Sequence, residues 1–408
     1  MKLIYIANIR LPTEKAHGLQ IVQNCEAFAA AGAQVMLWVA QRWNSAAQRR
    51  SSDVWAHYGV ERNFALRRLP CVDLIPLVPE RIDRLAQAVF LLQLLTFTLS
   101  AALHAVVVHA DAFYSRDALV LLALSLFKPR LALAYEVHSL APGRFGRWTQ
   151  RQVIRRCAVF ATTRRLADAL IERGADPART WVVHDGIRTD RFADLPDRDS
   201  ARRSLGWPED AFIVGYVGRL HTMAMSKGVD VLVEALAGCE GMAVALVGGP
   251  AEMAAALRDR WRALGGRAGH FFDAGQVPPA QVPLYIAAFD ACAMPLPWTE
   301  HFAFYASPIK LFEYMAAGRP IVATDLPSTA EVVADGETAL LVPPGDPMAL
   351  RVAVERLRAD PALGARLAAA ARARVMAEYT WSARAWRILA ALGDAVSASE
   401  PRPEEAGG

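Results

Sequence analysis

Short apolar runs alternate with amphipathic stretches along most of this chain, and the alternation predicts an α/β protein. Residues 3–7 (Leu-Ile-Tyr-Ile-Ala) read as a first buried strand. A loop over 8–18 leads into a helix over 19–31, ended by Gly32, and residues 35–40 form the next strand. That β-α-β order implies a parallel sheet with right-handed crossovers. Further strands are predicted at 106–108, 131–135 and 181–186. The pattern then breaks. Residues 191–210 are polar and rich in Asp and Pro, as a linker should be. A second set of strands follows at 212–217, 244–249, 271–275, 290–295, 321–324 and 340–342, with helices at 280–289 and 328–333 and from Pro347 and Pro361, and a loop rich in Pro and aromatic residues over 297–305. The expected organisation is a first domain over 1–190, a linker over 191–210 and a second domain over 211–378. A C-terminal helix over 379–395, packing back on the first domain, and a disordered tail over 396–408 complete it.

One stretch departs from the alternation. Residues 85–103 carry no formal charge and have the length of a membrane span. Gln87, Gln93, Thr96, Thr98 and Ser100 interrupt them, and a span would split the first sheet. A buried or half-exposed helix is the expected reading, with a membrane-surface helix as the alternative. An arginine run follows (Arg144, Arg147, Arg151, Arg155, Arg156, Arg164, Arg165, Arg173), opposed by few acids. It reads as a solvated helix face, or as a surface for an anionic membrane or a pyrophosphate-bearing acceptor.

The chemistry concentrates in residues 306–325, Ala-Ser-Pro-Ile-Lys-Leu-Phe-Glu-Tyr-Met-Ala-Ala-Gly-Arg-Pro-Ile-Val-Ala-Thr-Asp. Ser307-Pro308 is a helix start, and Gly318 with Pro320 a stop. Ser307, Lys310 and Glu313 fall three apart, on one face. The free N–H groups of a helix start suit phosphate, and Lys310 adds a charge where a lysine does nothing for the helix itself. Glu313 is placed to accept from a ribose. An ordinary capped helix with a surface Lys–Glu pair is the competing reading.

Composition favours the chemical reading. Only five of 45 basic residues are lysines: Lys2, Lys15, Lys128, Lys227 and Lys310. Two of them stand where a phosphate contact is wanted, and lysine is not interchangeable with the planar arginine fork. Arg219 and Lys227, at a strand end and a helix start, can converge on one diphosphate. Strand ends in the first domain add Lys15, His17, Gly18, Arg116 and His138, each equally able to be structural. A net charge of +4 gives no argument for nucleic acid. Five scattered cysteines suggest neither a disulfide frame nor a zinc site. The N-terminus does not read as a signal peptide, and a cytoplasmic location is expected.

Taken together, Val217-Gly218-Arg219-Leu220, Lys227-Gly228-Val229-Asp230, Phe312 to Gly318 and Asp335-Gly336 resemble the retaining glycosyltransferases of family 4. Tyr114-Ser115-Arg116, Tyr135-Glu136-Val137-His138 and Asp185-Gly186 add to the likeness. The resemblance implies two Rossmann-like domains with parallel sheets facing each other across a cleft, the GT-B fold. It implies sugar transfer, with retention and without a metal or cofactor, from a nucleotide-diphosphate sugar to a glycan or lipid-linked acceptor. Cell-surface polysaccharide synthesis, peripheral on the inner membrane face, is the expected setting. By the same resemblance Arg219, Lys227 and His138 are catalytic. Gly218, Tyr305, Ser307, Pro308, Lys310 and Glu313 hold the donor, and Lys15, His17, Gly18 and Arg116 lie on the acceptor side. Tyr305 stands where the family pattern has the first of two glutamates, the second being Glu313. Glu300 lies out of register with it. A non-hydrolysing nucleotide-sugar epimerase and a silent nucleotide-sugar binder are the alternatives.

Overall fold

Two parallel sheets, each reversing its strand order once, organise the chain. The computed structural model describes residues 1–13, 16–43, 53–78, 83–222, 225–307 and 309–397. Lys15 and Pro308 lie outside these residues, as does the predicted tail beyond 397. The chain divides after His184 and again after Thr380. One unit is Met1–His184 with Trp381–Gly408, and the other is Asp185–Thr380.

The first unit holds β1 (Lys2–Ala7), β2 (Gln34–Ala40), β3 (Ala65–Leu69), β4 (Ala112–Ser115), β5 (Leu133–Val137), β6 (Ala158–Ala161) and β7 (Thr180–Val182). They pair in parallel in the order β3-β2-β1-β4-β5-β6-β7. The β-branched and aromatic residues of β1, β2, β4, β5 and β6 are buried, as a helix-covered parallel sheet requires. One face packs against the helix Ala16–Ala30 through Ile21, Val22, Cys25 and Phe28. Against the same core lies the chain's last helix, Trp381–Ser397, through Trp381, Ala385, Ile388 and Leu392. Those positions recur at helical spacing, which gives the helix one apolar stripe.

The second unit holds β8 (Phe212–Val217), a two-stranded hairpin of β9 (His221–Thr222) and β10 (Met225–Ser226), then β11 (Met242–Val247), β12 (Phe271–Asp273), β13 (Ala291–Met294), β14 (Ile321–Thr324) and β15 (Leu340–Val342). Its main sheet is parallel in the order β12-β11-β8-β13-β14-β15. The reversal falls between β1 and β4 in the first unit and between β8 and β13 in the second. Ligands bind at the carboxyl ends of strands at such reversals.

Three expectations need correction. No strand forms at 106–108. A helix runs over Asp83–Val107, and Val106 and Val107 are exposed on it. The buried residues that enter the sheet are Ala112, Phe113 and Tyr114. Residues 191–210 are not an irregular linker but hold a helix, Arg198–Leu205. Its Arg202 is fully buried, donates to the carbonyls of Ala288, Glu209 and Ala211, and pairs with Asp290 at 2.5 Å. One buried arginine among exposed or half-buried polar residues is enough to tie the segment to the second unit, which composition cannot reveal. Residues 297–305, expected as loop, contain a π-helical turn, His301–Tyr305.

Candidate functional site

Each unit gathers charged groups at its own point of strand reversal. In the second unit β8 ends at Val217, whose N–H donates to the Tyr314 hydroxyl at 2.8 Å. Tyr314 sits in the helix Ile309–Ala316, with Leu311, Phe312 and Met315 fully buried beside it. That packing fixes Lys310 on the helix's open face. The lysine crosses directly over Gly218, the first residue past β8. Gly218 has φ +122°, and a Cβ there would run into the Lys310 stem and ammonium. Only glycine lets the strand end and the lysine come this close.

Lys227 arrives from the other side. Its N–H donates to the Leu220 carbonyl at 3.0 Å. Gly228 follows with φ +71°, and a side chain there would collide with the Pro295 carbonyl. The Lys227 ammonium lies 4.3 Å from the centre of the Phe302 ring, inside the π-turn. A ring attracts a cation without neutralising it. Burial, and secondarily the like charge of Lys310, push the Lys227 ammonium down to about 8. Burial lowers Lys310 as well, and Glu313 one turn on only partly opposes this. Burial raises the Glu313 carboxyl against Lys310 and Arg191. Burial and then Lys227 lower His301. Among the described residues no carboxylate forms an ion pair with Lys227 or Lys310. These groups are half-buried cations gathered around one glycine-lined strand end, an arrangement that favours a polyanion.

The other expected donor-side residues fall out as follows. Arg219 follows Gly218 with its side chain exposed, and its carbonyl accepts from the Tyr216 hydroxyl at 2.8 Å. The Ser307 hydroxyl accepts from the Asp185 N–H at 3.3 Å. The Tyr305 hydroxyl donates to Glu300 at 3.1 Å. Asp197 accepts from the Ser200 N–H as the N-cap of its helix. His301, Phe302 and Tyr314 were not anticipated. Nothing in their spacing marks them, since the fold alone brings them to β8.

In the first unit the centre is Glu136, on β5 and fully buried. Its Oε1 meets Arg116 at 2.8 Å, His138 Nε2 at 2.7 Å and Arg384 at 2.7 Å. Its Oε2 accepts from the hydroxyls of Tyr114 at 2.6 Å and Tyr5 at 3.3 Å, and from Asn24 at 3.4 Å. Burial by itself would raise this carboxyl. Arg116, Arg384 and His138 together hold it well below the usual carboxylate range. Arg116 also donates to Gln20 at 3.2 Å, on the helix that carries His17 and Gly18. Gly18 faces Thr13, where a Cβ would collide, and the Tyr58 hydroxyl. That hydroxyl accepts from the Thr13 N–H at 2.7 Å and donates to the Thr13 carbonyl at 3.0 Å. The structure therefore brings Arg116 and His138 together on one carboxylate and ties the Gly18 helix to them. Neither Glu136 nor Arg384 was given a role from sequence. A buried glutamate inside a strand leaves no periodic signal, and Arg384 lies 248 positions from its partner.

The second-unit region 211–360 matches the family model for group 1 glycosyl transferases. A D-inositol 3-phosphate glycosyltransferase of Catenulispora acidiphila is 30% identical over 320 residues, covering 73% of this chain and 74% of that protein. The chain belongs to the group 1 glycosyltransferases, family 4. A like-named protein of Streptomyces bingchenggensis is 32% identical over 225 residues. Against that group 1 glycosyltransferase the chain spans 48% of the relative's length. Among solved structures, sucrose-phosphate synthase of Thermosynechococcus elongatus superposes with TM-score 0.74 at 22% identity, covering 98% of this chain and all of that one. An Anabaena protein crystallised with UDP, HepE, superposes with TM-score 0.69 at 20% identity, covering 97% and 100%. These likenesses establish the GT-B fold for this group 1 glycosyltransferase: two α/β domains with parallel sheets.

Proposed function

We propose that this protein transfers a sugar, with retention and without a metal, from a nucleotide-diphosphate sugar to a glycan or lipid-linked acceptor in cell-surface polysaccharide synthesis. The observation that carries the reading is the Lys227–Lys310 pair at the glycine-lined end of β8, where two half-buried ammonium groups have no ion-paired carboxylate among the described residues. A diphosphate supplies the missing charge. Charge that builds on the departing diphosphate meets both lysines, while exposed Arg219 can swing onto it. Glu313 takes the ribose hydroxyls, its carboxyl kept near Lys310. UDP and UDP-glucose, bound in the Anabaena structures, are the first donor-side ligands to try. On the acceptor side Arg116 and His138 are held by a rigid carboxylate anchor.

A lipid-linked acceptor is supported by the surface of the first unit. The helix Asp83–Val107 is long and apolar enough to cross a membrane, yet only a third of its most apolar window is buried. Leu85, Leu92, Leu95, Leu99 and Leu103 share an exposed stripe. The helix Gly143–Ile154 in the same unit exposes Phe145 and Trp148, stacked at 6.1 Å, among Arg144, Arg147 and Arg151. Apolar insertion plus basic attraction are the two signals stable peripheral binding needs. Each arginine near an anionic surface contributes about 1 kcal/mol.

The test is a panel of nucleotide-sugars incubated with and without lipid-linked saccharide extracts. Product with the donor's anomeric configuration supports the proposal. An epimerised nucleotide-sugar formed without acceptor supports the epimerase instead, and donor binding with no released nucleoside diphosphate supports a silent binder. Co-sedimentation with anionic vesicles should fall as salt rises. No binding at low salt would leave the stripe and the arginines as ordinary surface.

A further inference from the structure

We propose that Arg384, carried by the chain's last helix, is a positioning residue for the candidate site of the first unit. Acting through Glu136, it fixes the orientation and hydrogen-bonding state of the His138 ring. The inference rests on the reading of His138 as a site residue.

Glu136 is shared by three nitrogenous partners on a single oxygen: Arg116 at 2.8 Å, Arg384 at 2.7 Å and His138 at 2.7 Å. An ionised carboxylate only accepts hydrogen bonds, so Nε2 of His138 must be the protonated nitrogen toward it. Two guanidinium groups share that oxygen with it, so the three partners together set where the carboxylate points and, with it, the direction of the His138 N–H.

Arg384 cannot drift from this post. It is 1% exposed, and its Nη1 donates to the carbonyls of Val183 at 2.5 Å and His184 at 2.7 Å, where the chain leaves β7. Its helix is held by Trp381, Ala385, Ile388 and Leu392 in the first unit's core. The chain builds the whole second unit and then returns to place this guanidinium. Arg116, by contrast, is also bonded to Gln20 and retains partial exposure, so it can adjust when an acceptor arrives. Arg384 is the fixed half of the balance and Arg116 the adjustable half. Without Arg384 the carboxylate keeps one guanidinium, and the hydrogen bond that orients His138 loses its fixed anchor.

The experiment uses the full-length chain with isotope-labelled histidine, His138 being assigned by its loss in His138→Gln. Ring-nitrogen NMR spectra at neutral pH are compared for wild type, Arg384→Gln, Arg384→Lys and Trp386→Ala, an exposed neighbour on the same helix. Turnover and inorganic pyrophosphate affinity are measured alongside. The expected result for Arg384→Gln is a clear shift of the His138 ring-nitrogen signals, reporting a changed hydrogen bond to Glu136. Turnover should fall on the order of tenfold to a hundredfold, with pyrophosphate affinity within about twofold, since that site lies in the other unit. Arg384→Lys should recover part of both, and Trp386→Ala should change neither. Unchanged His138 signals in a folded Arg384→Gln, or an equal change in Trp386→Ala, overturn the proposal. If Arg384→Gln does not fold, Arg384→Lys decides, and unaltered ring signals in it overturn the proposal. Should wild type turn over no donor, the transferase reading fails while the ring spectra still judge the role of Arg384.

Discussion

The two units solve the same electrostatic problem in opposite ways. In the first, the buried charge of Glu136 is surrounded by Arg116, Arg384 and His138 on one oxygen and by two hydroxyls and an amide on the other. In the second, Lys227 and Lys310 approach each other with one ring and one imperfectly placed carboxylate for company. The physical signatures diverge accordingly. Glu136 is held more firmly ionised than in water, whereas Lys227 is pushed toward losing its proton. A saturated buried charge stabilises its fold and positions what it touches. An under-compensated one makes the fold weaker and leaves interaction energy for a ligand.

Substitutions at the two clusters should therefore have opposite signs. Glu136→Ala leaves two guanidinium groups in the core without their anion and should cost about 3–5 kcal/mol, read as a lower denaturant midpoint. Lys310→Met and Lys227→Met should leave the unliganded protein as stable or more so. Each should weaken nucleoside-diphosphate binding by about 1.5–3 kcal/mol while sparing the nucleoside. If Lys310→Met unfolds the protein and Glu136→Ala does not, the contrast is inverted and the account fails. Glu313→Gln should fold normally and bind donor poorly; a destabilised variant with full affinity would make Glu313 structural. Arg219→Ala should give a smaller loss, roughly 0.5–1.5 kcal/mol, because an exposed side chain must first be ordered.

The pH dependence sharpens the same contrast. Lys227 releases its proton near 8 when folded but near 10.5 when unfolded. Across that window the folded chain binds fewer protons, so its stability rises with pH, and the penalty is fully present below 8. Anion affinity runs the other way and should decline above pH 8, but not in Lys227→Met. Glu136, depressed below its ordinary 4.5, contributes stability that is present above that value and lost as pH falls through the folded value. A thermal-shift series from pH 3 to pH 10, roughly spanning both limbs, resolves the two.

Most of the scaffold was legible because buried parallel strands write themselves as apolar runs. The strands 212–217, 321–324 and 340–342 fall where the pattern put them. The pattern failed where burial and composition part company. Val106 and Val107 look like a strand but lie on the exposed side of a helix, and residues 191–210 hold a helix that buries Arg202 against Asp290. At the donor-side site the rare lysines are a compositional signal, while the neighbours they meet, Gly218 and Phe302, are set by the fold. The partners that give the sites their character, Glu136, Arg384 and Tyr314, are ordinary-looking residues far apart in sequence. Their roles exist only once the sheets are assembled.

The central claim is that the Lys227–Lys310 pair is an anion site awaiting a diphosphate. Calorimetric titration of inorganic pyrophosphate and of UDP, ADP and GDP, at pH 7 and pH 9, into wild type and Lys227→Met, tests it without knowledge of the sugar or the acceptor. The account predicts pyrophosphate binding to wild type that is weaker at pH 9 than at pH 7. In Lys227→Met it should be weak at both, with one of the three nucleotides tighter than pyrophosphate. Pyrophosphate affinity equal in the two proteins, or indifferent to pH in wild type, would contradict it.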